Sequence, residues 1–233
     1  MKIDINCDLG EGIGNDEAIM PFIASANIAC GFHAGDEKTM LETVRLAKKY
    51  NVNVGAHPSW EDRGKFGRKE MYLSPEEAEK IVFYQIESLS KIAKEENVKL
   101  SHVKPHGALY NQAARDIHLA RAIARAVKSV GVDLCLVGLA GSRLIEAGVE
   151  MGLRVAREGF PDRRYNPDGS LMSRSLPGAV IESLDEIAQH ALRLIQDGNI
   201  DTLCLHGDHP HAAENAKLLR EVLEKNGVEV VGL

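Results

Sequence analysis

Short apolar runs alternate with longer amphipathic segments along the whole chain. The short runs predict strands, and they lie at residues 3–8, 26–30, 52–56, 101–104, 133–137, 153–156, 202–206 and, more weakly, 228–231. The segments between them have helical periodicity. Strands that alternate with helices are typical of βα units and a parallel sheet. We therefore expect an α/β fold with one domain over residues 1–233, a closed or nearly closed β/α barrel of about seven or eight units. A doubly wound open sheet is the alternative.

The clearest helix is predicted to begin after Ser74. Ser74 is placed as the N-cap residue, Pro75 as the first helical residue and Glu77 as the third, which together form a capping box. Apolar residues then recur on one face of this helix, at positions 78, 81, 82, 86, 89, 92 and 93.

Several strands alternate apolar and polar residues, whereas strands buried on both faces usually read as continuous apolar runs. The polar or small positions are Asp4, Asn6 and Asp8; Asn53, Gly55 and His57; His102 and Lys104; and Thr202, Cys204 and His206. If the apolar faces pack on helices, these residues line a polar barrel interior, which predicts a deep pocket. A solvent-facing antiparallel sheet is the alternative, and helices between successive strands disfavour it.

Charge and cysteine content narrow the class of protein. A net charge of −6 argues against a nucleic-acid binder, which would normally present a basic face. The sequence shows no signal-peptide pattern, and no apolar run approaches the ~18 residues of a membrane span. The four cysteines are far apart, which predicts reduced, packed thiols and a cytoplasmic protein.

Ionisable side chains follow nearly every predicted strand. Active sites of β/α barrels lie at the carboxyl ends of the strands and in the loops that follow. The residues at these positions are Asp8, Glu11, His33, Asp36, His57, Lys104, His106, Glu158, His206, Asp208 and His209. Any one of them could be an ordinary loop or capping residue, but the set is expected to converge on one cavity.

The glycine-rich stretch "DLGEGIG" matches no phosphate-binding fingerprint. Its spacing misses G-x-G-x-x-G, and the chain contains no G-x-x-x-x-G-K-[ST] loop. An anion site on the backbone amides and a ligand-free turn both remain open.

Two long connections, residues 58–73 and 157–175, carry the basic residues Arg63, Lys65, Arg68, Arg163, Arg164 and Arg174. Long loops in compact domains often bind ligands. Basic side chains there indicate a ligand with a carboxylate or phosphate group. Solubilising surface charge is the alternative.

The stretch "HGDHPH" invites a metal interpretation. His33, His57 and His206 together with Asp8 could supply ligands from four strands, but the chain has no H-E-x-x-H pair. Pro210 fits the first position of the last helix, which makes His209 its N-cap and leaves His211 facing solvent. Whether a metal binds stays open.

Long motifs then identify a resemblance. "DINCDLGEG", "NIACGFHAGD", "GAHPSWEDRGKFGR", "HVKPHGALYN", "EGFPDRRYNPDGSLMSRS" and "LCLHGDHPHAAENA" resemble, in order, motifs of the LamB/YcsF family. The resemblance implies a seven-stranded, TIM-like β/α barrel related to glycoside hydrolase and polysaccharide deacetylase barrels. It also implies ATP-dependent hydrolysis of 5-oxoproline (pyroglutamate) to glutamate, with ATP and Mg²⁺, in a complex with 5-oxoprolinase subunits B and C.

For such a reaction we assign roles from the residue types. Asp8 or Glu11 is the candidate base, and His57, His106 and His206 are candidates for proton transfer. Lys104, Arg63 and Arg174 are expected to bind phosphate and carboxylate. The further binding candidates are His33, Glu158, Asp208 and His209. Two alternatives remain: a metal-dependent deacetylase or glycoside-hydrolase-like enzyme, and a non-catalytic subunit that binds 5-oxoproline.

Overall fold

The computed structural model describes residues 1–173, 176–207 and 211–233. Its strands are β1 Lys2–Leu9, β2 Ser25–Ala29, β3 Asn53–His57, β4 Leu100–Val103, β5 Cys135–Leu139, β6 Arg154–Gly159, β7 Thr202–Leu205 and β8 Glu229–Val230. All pairings between these strands are parallel, and the order β1 to β7 closes because β7 and β2 both pair with β1. β8 adds to the first residues of β1. The seven-stranded barrel is confirmed, and the open sheet is wrong.

Helices connect successive strands around the barrel. Within the described residues they are α1 Asp16–Ile19, α2 Glu37–Tyr50, α3 Pro75–Glu95, α4 Gly107–Arg115, α5 Ile117–Val130, α6 Arg143–Glu150, α7 Leu184–Gln196 and α8 Ala212–Lys225. The capping box at Ser74 and Glu77 is present at the start of α3. Among the described helices, none has the length and apolar character that crossing a membrane requires.

The alternating strand pattern divides the barrel into an apolar outside and a polar inside. The outward residues of β1, Ile3, Ile5 and Cys7, belong to the main hydrophobic core between barrel and helices. Their neighbours Asp4 and Asn6 are fully buried inside the barrel. The predicted polar interior is therefore confirmed. All four cysteines are buried and free, as expected.

Most of this interior is filled rather than open. Asp4 accepts hydrogen bonds from Ser25 and Thr202, and Asn6 donates to Thr202 and Glu158. Side chains hydrogen-bond one another across the lower barrel, because buried polar groups must find partners when water is excluded. The expected deep pocket is thus shallower than predicted, and its floor lies near the carboxyl ends of the strands.

Gly55 in β3 leaves room for a side chain from β4. A Cβ at Gly55 would lie 2.0 Å from Nε2 of His102, so only glycine allows the imidazole to cross the barrel. His102 Nε2 then reaches Asn27 Oδ1 at 2.8 Å, while Ser101 Oγ lies 2.7 Å from Nδ1. Gly55 in the strand pattern therefore makes room for the His102 ring inside the barrel.

The glycine-rich loop and the start of the last helix can both be compared with what the sequence suggested. In the glycine-rich loop the Gly10 amide donates to Asp16 at 2.9 Å, so the chain's own carboxylate holds that turn. The last helix begins at Ala212, later than predicted, with an exposed His211 as its N-cap. His209 and Pro210 lie outside the described residues, so the predicted cap there stays a prediction.

Candidate active site

A cavity of about 850 Å³ opens at the carboxyl ends of the barrel strands. Asp8, His57 and Lys104 form its charged floor, and Tyr110, Phe160 and His206 are among the residues of its wall. The loop after β6 contributes residues 163–173 to the rim. This is the end of a β/α barrel at which catalytic residues gather.

Lys104 follows the last residue of β4 and lies at the centre of the floor. Its Nζ is 2.9 Å from Asp8 Oδ1 and 2.9 Å from Glu158 Oε1. Burial alone would lower the pKa of Lys104, but the carboxylates, Asp8 first, raise it well above its ordinary value. The amine is therefore a buried ammonium ion held between two carboxylates.

Uncharged groups fix the positions of these charges. Asn27 Nδ2 donates to Asp8 Oδ1 at 2.8 Å and to Asn6 Oδ1 at 2.7 Å, and Asn6 Oδ1 also accepts from Lys104 at 3.2 Å. Cys204 Sγ lies 2.8 Å from Lys104 Nζ, and burial raises the pKa of this thiol well above its ordinary value. The network leaves the ammonium and the carboxylate little freedom to move.

Asp8 is ionised over the working pH range. Burial alone would raise the pKa of Asp8, but the charges of His57 and Lys104 lower it well below its ordinary value. Its Oδ2 lies 3.2 Å from His57 Nε2. A permanent carboxylate at the floor can accept a hydrogen bond from a water molecule or a substrate N–H.

Three histidines and Glu11 form a second group beside the floor, the histidine–Glu11 cluster of His33, His57, His106 and Glu11. His57 Nε2 and His106 Nδ1 are 2.9 Å apart, and the rings of His33 and His106 stack with centroids 3.8 Å apart. Burial lowers the pKa of His33 to about 3 and that of His106 well below its ordinary value. Both rings are therefore neutral.

His206, directly after β7, forms a carboxylate–imidazole pair in the cavity wall. Its Nδ1 lies 2.7 Å from Asp162 Oδ2, and its ring stacks on Phe160 with centroids 5.7 Å apart. A carboxylate on Nδ1 holds the proton there and leaves the lone pair of the neutral ring on Nε2. This pairing is the usual arrangement of a histidine base.

Only some of the basic loop residues named from the sequence reach the cavity. Arg163, which is 6% exposed, and Arg68 line the cavity. Arg63 instead lies on an exposed loop and donates to the Gly31 carbonyl at 3.0 Å, so it is not a cavity residue. Arg174 lies outside the described residues, and its expected role stays a prediction.

The predicted site residues form three groups according to where they lie. The structure brings Asp8, His57, Lys104, His106 and His206 to the cavity. His33 and Glu11 lie in the cluster beside it, and Glu158 lies fully buried beneath Lys104, where it neutralises the ammonium instead of facing a ligand. Asp208 and His209 lie outside the described residues. The four residues that the sequence offered as metal ligands, His33, His57, His206 and Asp8, do not form one group. His33 and His57 lie in the cluster with Glu11, whereas His206 and Asp8 lie together with Cys204.

Several residues of the site were not selected from the sequence. They are Asn6, Asn27, His102, Tyr110, Asp162 and Cys204. The strand alternation already places Asn6, His102 and Cys204 inside the barrel, so a search of all inward positions would have found them. Tyr110 and Asp162 lie beyond strand ends and carry no such periodic signal.

A closed parallel barrel with a charged floor at its carboxyl ends defines the class of β/α-barrel enzymes. More specifically, the chain belongs to the LamB/YcsF family, whose model matches residues 3–233. The A subunit of 5-oxoprolinase from Pyrococcus furiosus is 49% identical, with 99% of this chain and 97% of that protein covered. The lactam utilization protein of Thermus thermophilus superposes with a TM-score of 0.94 at 47% identity, with both chains fully covered.

More distant structures share the fold alone. The catalytic domain of a peptidoglycan N-acetylglucosamine deacetylase from Eubacterium rectale has a TM-score of 0.58 at 13% identity, with 100% of this chain and 88% of that chain covered. A GH113 β-1,4-mannanase has a TM-score of 0.55 at 13% identity, with 96% and 99% covered. The expected likeness of fold to deacetylase and glycoside hydrolase barrels is confirmed.

Proposed function

We propose that this chain is the lactam-opening subunit of an ATP-dependent 5-oxoprolinase, which converts 5-oxoproline to glutamate. The observation that carries the proposal is the Lys104–Asp8 ion pair at the floor of the cavity. Relatives of nearly the same length, each named as the A subunit of 5-oxoprolinase, support the substrate. Their designation as one subunit among others supports a multi-subunit complex, with subunits B and C as the partners.

A five-membered lactam needs activation because its amide is stabilised by resonance and water attacks it slowly. Transfer of a phosphoryl group from ATP, as its Mg²⁺ complex, to the lactam oxygen gives a C–O–P bond, ADP and an electrophilic carbon. The chain has no phosphate-loop motif, so the partner subunits are expected to supply the nucleotide site.

The cavity is suited to holding the phosphorylated lactam. Lys104 at the floor and Arg163 and Arg68 at the rim offer positive charge at two levels. A phosphate and a carboxylate on one small ring require two such positions, and guanidinium groups bind both in a bidentate way. The volume of about 850 Å³ exceeds what the lactam alone needs, which leaves room for the phosphoryl group.

The proton transfers can be assigned to the remaining wall and floor residues. Asp8 orients a water molecule, and its low pKa makes it an acceptor of hydrogen bonds rather than a strong base. His206 Nε2 takes the proton as the water oxygen bonds to the lactam carbon. The imidazolium then returns that proton to the ring nitrogen and the C–N bond breaks. The new hydroxyl group becomes the C=O of γ-glutamyl phosphate, and its proton passes to the released amine.

A second water molecule then attacks the acyl phosphate carbon and releases inorganic phosphate and glutamate. Lys104 and the rim arginines stabilise the negative charge that develops on the oxygens in both steps. The four buried free thiols fit a reducing compartment, so we place the reaction in the cytoplasm.

The test is 5-oxoproline-dependent release of ADP and glutamate by the chain reconstituted with subunits B and C. Asp8→Asn and His206→Ala are each expected to lower kcat by about 100-fold or more, because the first removes the carboxylate that orients the water molecule and the second removes the base. Arg163→Lys keeps the charge but loses the bidentate contact, so KM is expected to rise by about tenfold.

Asp133→Asn, a change at an exposed residue that precedes β5, is the matched control and should turn over like wild type. Wild-type rates for both Asp8→Asn and His206→Ala would contradict the proposal. That result would favour a subunit that only binds 5-oxoproline and leaves the chemistry to its partners.

A further inference from the structure

The histidine–Glu11 cluster adjoins the floor of the cavity, with which it shares His57, and none of its members binds substrate or transfers a proton in the steps assigned above. Its four members are buried, with side chains at most 7% exposed. One ligand-type atom from each lies within 4.8 Å of all the others. Such a group, held away from water, must be stabilised by a shared cation or by exact placement of protons.

Two of the imidazoles are fixed by backbone carbonyls. His57 Nδ1 lies 2.7 Å from the Lys104 carbonyl, and His106 Nε2 lies 2.9 Å from the Phe66 carbonyl. A carbonyl oxygen only accepts hydrogen bonds, so both of these nitrogens carry their proton. The nitrogen of each ring that remains able to bind an ion is therefore Nε2 of His57 and Nδ1 of His106.

These two nitrogens are 2.9 Å apart, so one ion, either a proton or a metal, can be shared between them. Imidazoles that bind a metal nearly always donate their other N–H to a carbonyl or carboxylate, as His57 and His106 both do. The arrangement is that of two metal ligands with their outer hydrogen bonds already made.

Glu11 supplies an anionic oxygen to the same place. Its Oε1 lies 3.8 Å from His106 Nδ1 and 3.3 Å from His33 Nε2. His33 cannot point its own lone pair at the same ion, because its ring is stacked on that of His106 at 2° between planes. His33 instead donates to Glu11 and orients the carboxylate.

We propose that His57, His106 and Glu11 bind one divalent transition metal ion, with His33 as the residue that positions Glu11. Two nitrogens and one oxygen suit zinc and its first-row neighbours, whereas Mg²⁺ and Ca²⁺ prefer oxygen ligands. Bonds of about 2.0–2.1 Å in a tetrahedral site separate two nitrogens by about 3.3 Å, so the two rings need to part by only a few tenths of an ångström.

Two of the three ligands, His57 and His106, line the cavity. Asp8 Oδ2 lies 3.2 Å from His57 Nε2 on that side. Three protein ligands and one open position are typical of a catalytic rather than a structural zinc site. The inference does not rest on the proposed function, since metal binding is measured on the chain without substrate or partners.

The test is metal content and coordination of the purified chain. After chelation and dialysis against Zn²⁺, we expect one zinc per chain by mass spectrometry, and Co²⁺ in its place should give the visible bands of a four-coordinate N/O site. His106→Ala is expected to weaken zinc binding by at least 100-fold, and His33→Ala by about 10- to 100-fold, the usual range for an orienting residue. His118→Ala, at an exposed histidine of α5, is the matched control and should bind like wild type.

Less than one-tenth of an equivalent of zinc on the wild-type chain would overturn the inference, as would equal affinity in the His106 and His118 variants. A sulfur-to-cobalt charge-transfer band would also overturn it, because it would place the ion in the other group of possible ligands, Asp8, Cys204 and His206. If a variant does not fold, X-ray absorption on the wild-type zinc complex decides: two imidazoles without sulfur support the site, and sulfur contradicts it.

Discussion

Replacing Lys104 by methionine removes the ammonium ion that lies between two buried carboxylates while keeping most of the side-chain volume. Lys104 Nζ is 2.9 Å from both Asp8 and Glu158. At an effective dielectric constant of about 20, a pair of unit charges at 2.9 Å attracts by about 6 kcal/mol, so the gross attraction of the two pairs is about 11 kcal/mol. Desolvation of the three ions offsets much of this, and removal of one partner of a buried pair typically costs about 3–5 kcal/mol.

We therefore expect Lys104→Met to lower the free energy of unfolding by about 3–5 kcal/mol. Urea unfolding followed by circular dichroism measures this loss. Adding Glu158→Gln removes one of the two stranded carboxylates, so the double variant should be more stable than Lys104→Met alone. The cycle of single and double variants should give an interaction energy of about 1–3 kcal/mol.

Lys99→Met, at an exposed lysine, is the matched control and should change stability by less than about 0.5 kcal/mol. The reasoning is refuted if Lys104→Met costs no more than this control. Strict additivity with Glu158→Gln would refute it too, since the two side chains would then not share an ion pair.

Three further predictions concern the fold around the site. Gly55→Ala should destabilise the chain by about 1–3 kcal/mol because the new Cβ would meet His102 at 2.0 Å, whereas Gly64→Ala, with no atom within 4 Å, should be near neutral in thermal unfolding. Burial raises the pKa of Asp4 from 3.8 to about 7, so the folded chain keeps a proton that the unfolded chain releases. Stability should accordingly fall by up to about 4 kcal/mol as the pH rises from 4 to 7, and Asp4→Asn should flatten this dependence in urea titrations. Ser74→Ala should cost about 1 kcal/mol through loss of the cap of α3, and an unchanged denaturation midpoint would contradict the capping role.

The barrel could be predicted from the sequence because its strands alternate with period two. Asp4, Asn6 and Asp8 in β1 could face inward only if Ile3, Ile5 and Cys7 packed on helices, and the structure has this arrangement. The alternation of apolar and polar residues was enough to predict where the strands are. The filling of the interior could not be predicted, because it depends on which side chains meet across the barrel.

Most candidate residues at or just after strand ends lie at the cavity or beside it, whereas the loop residue Arg63 lies away from it. Lys104 and His57 reach the cavity because the strand ends fix their direction. Arg63 was expected to bind the ligand, but the turn around it directs its guanidinium to the Gly31 carbonyl. Arg163 lines the cavity instead, and nothing in the local pattern distinguishes two arginines on long loops.

The most direct test of lactam opening at this cavity is a single-turnover experiment with labelled 5-oxoproline, ATP and the complex with subunits B and C. For Asp8→Asn we predict that phosphorylated 5-oxoproline accumulates to about one equivalent per site while glutamate formation is lost, because activation precedes the step at Asp8. Formation of glutamate by this variant at the wild-type rate, without accumulation of the intermediate, would contradict the account.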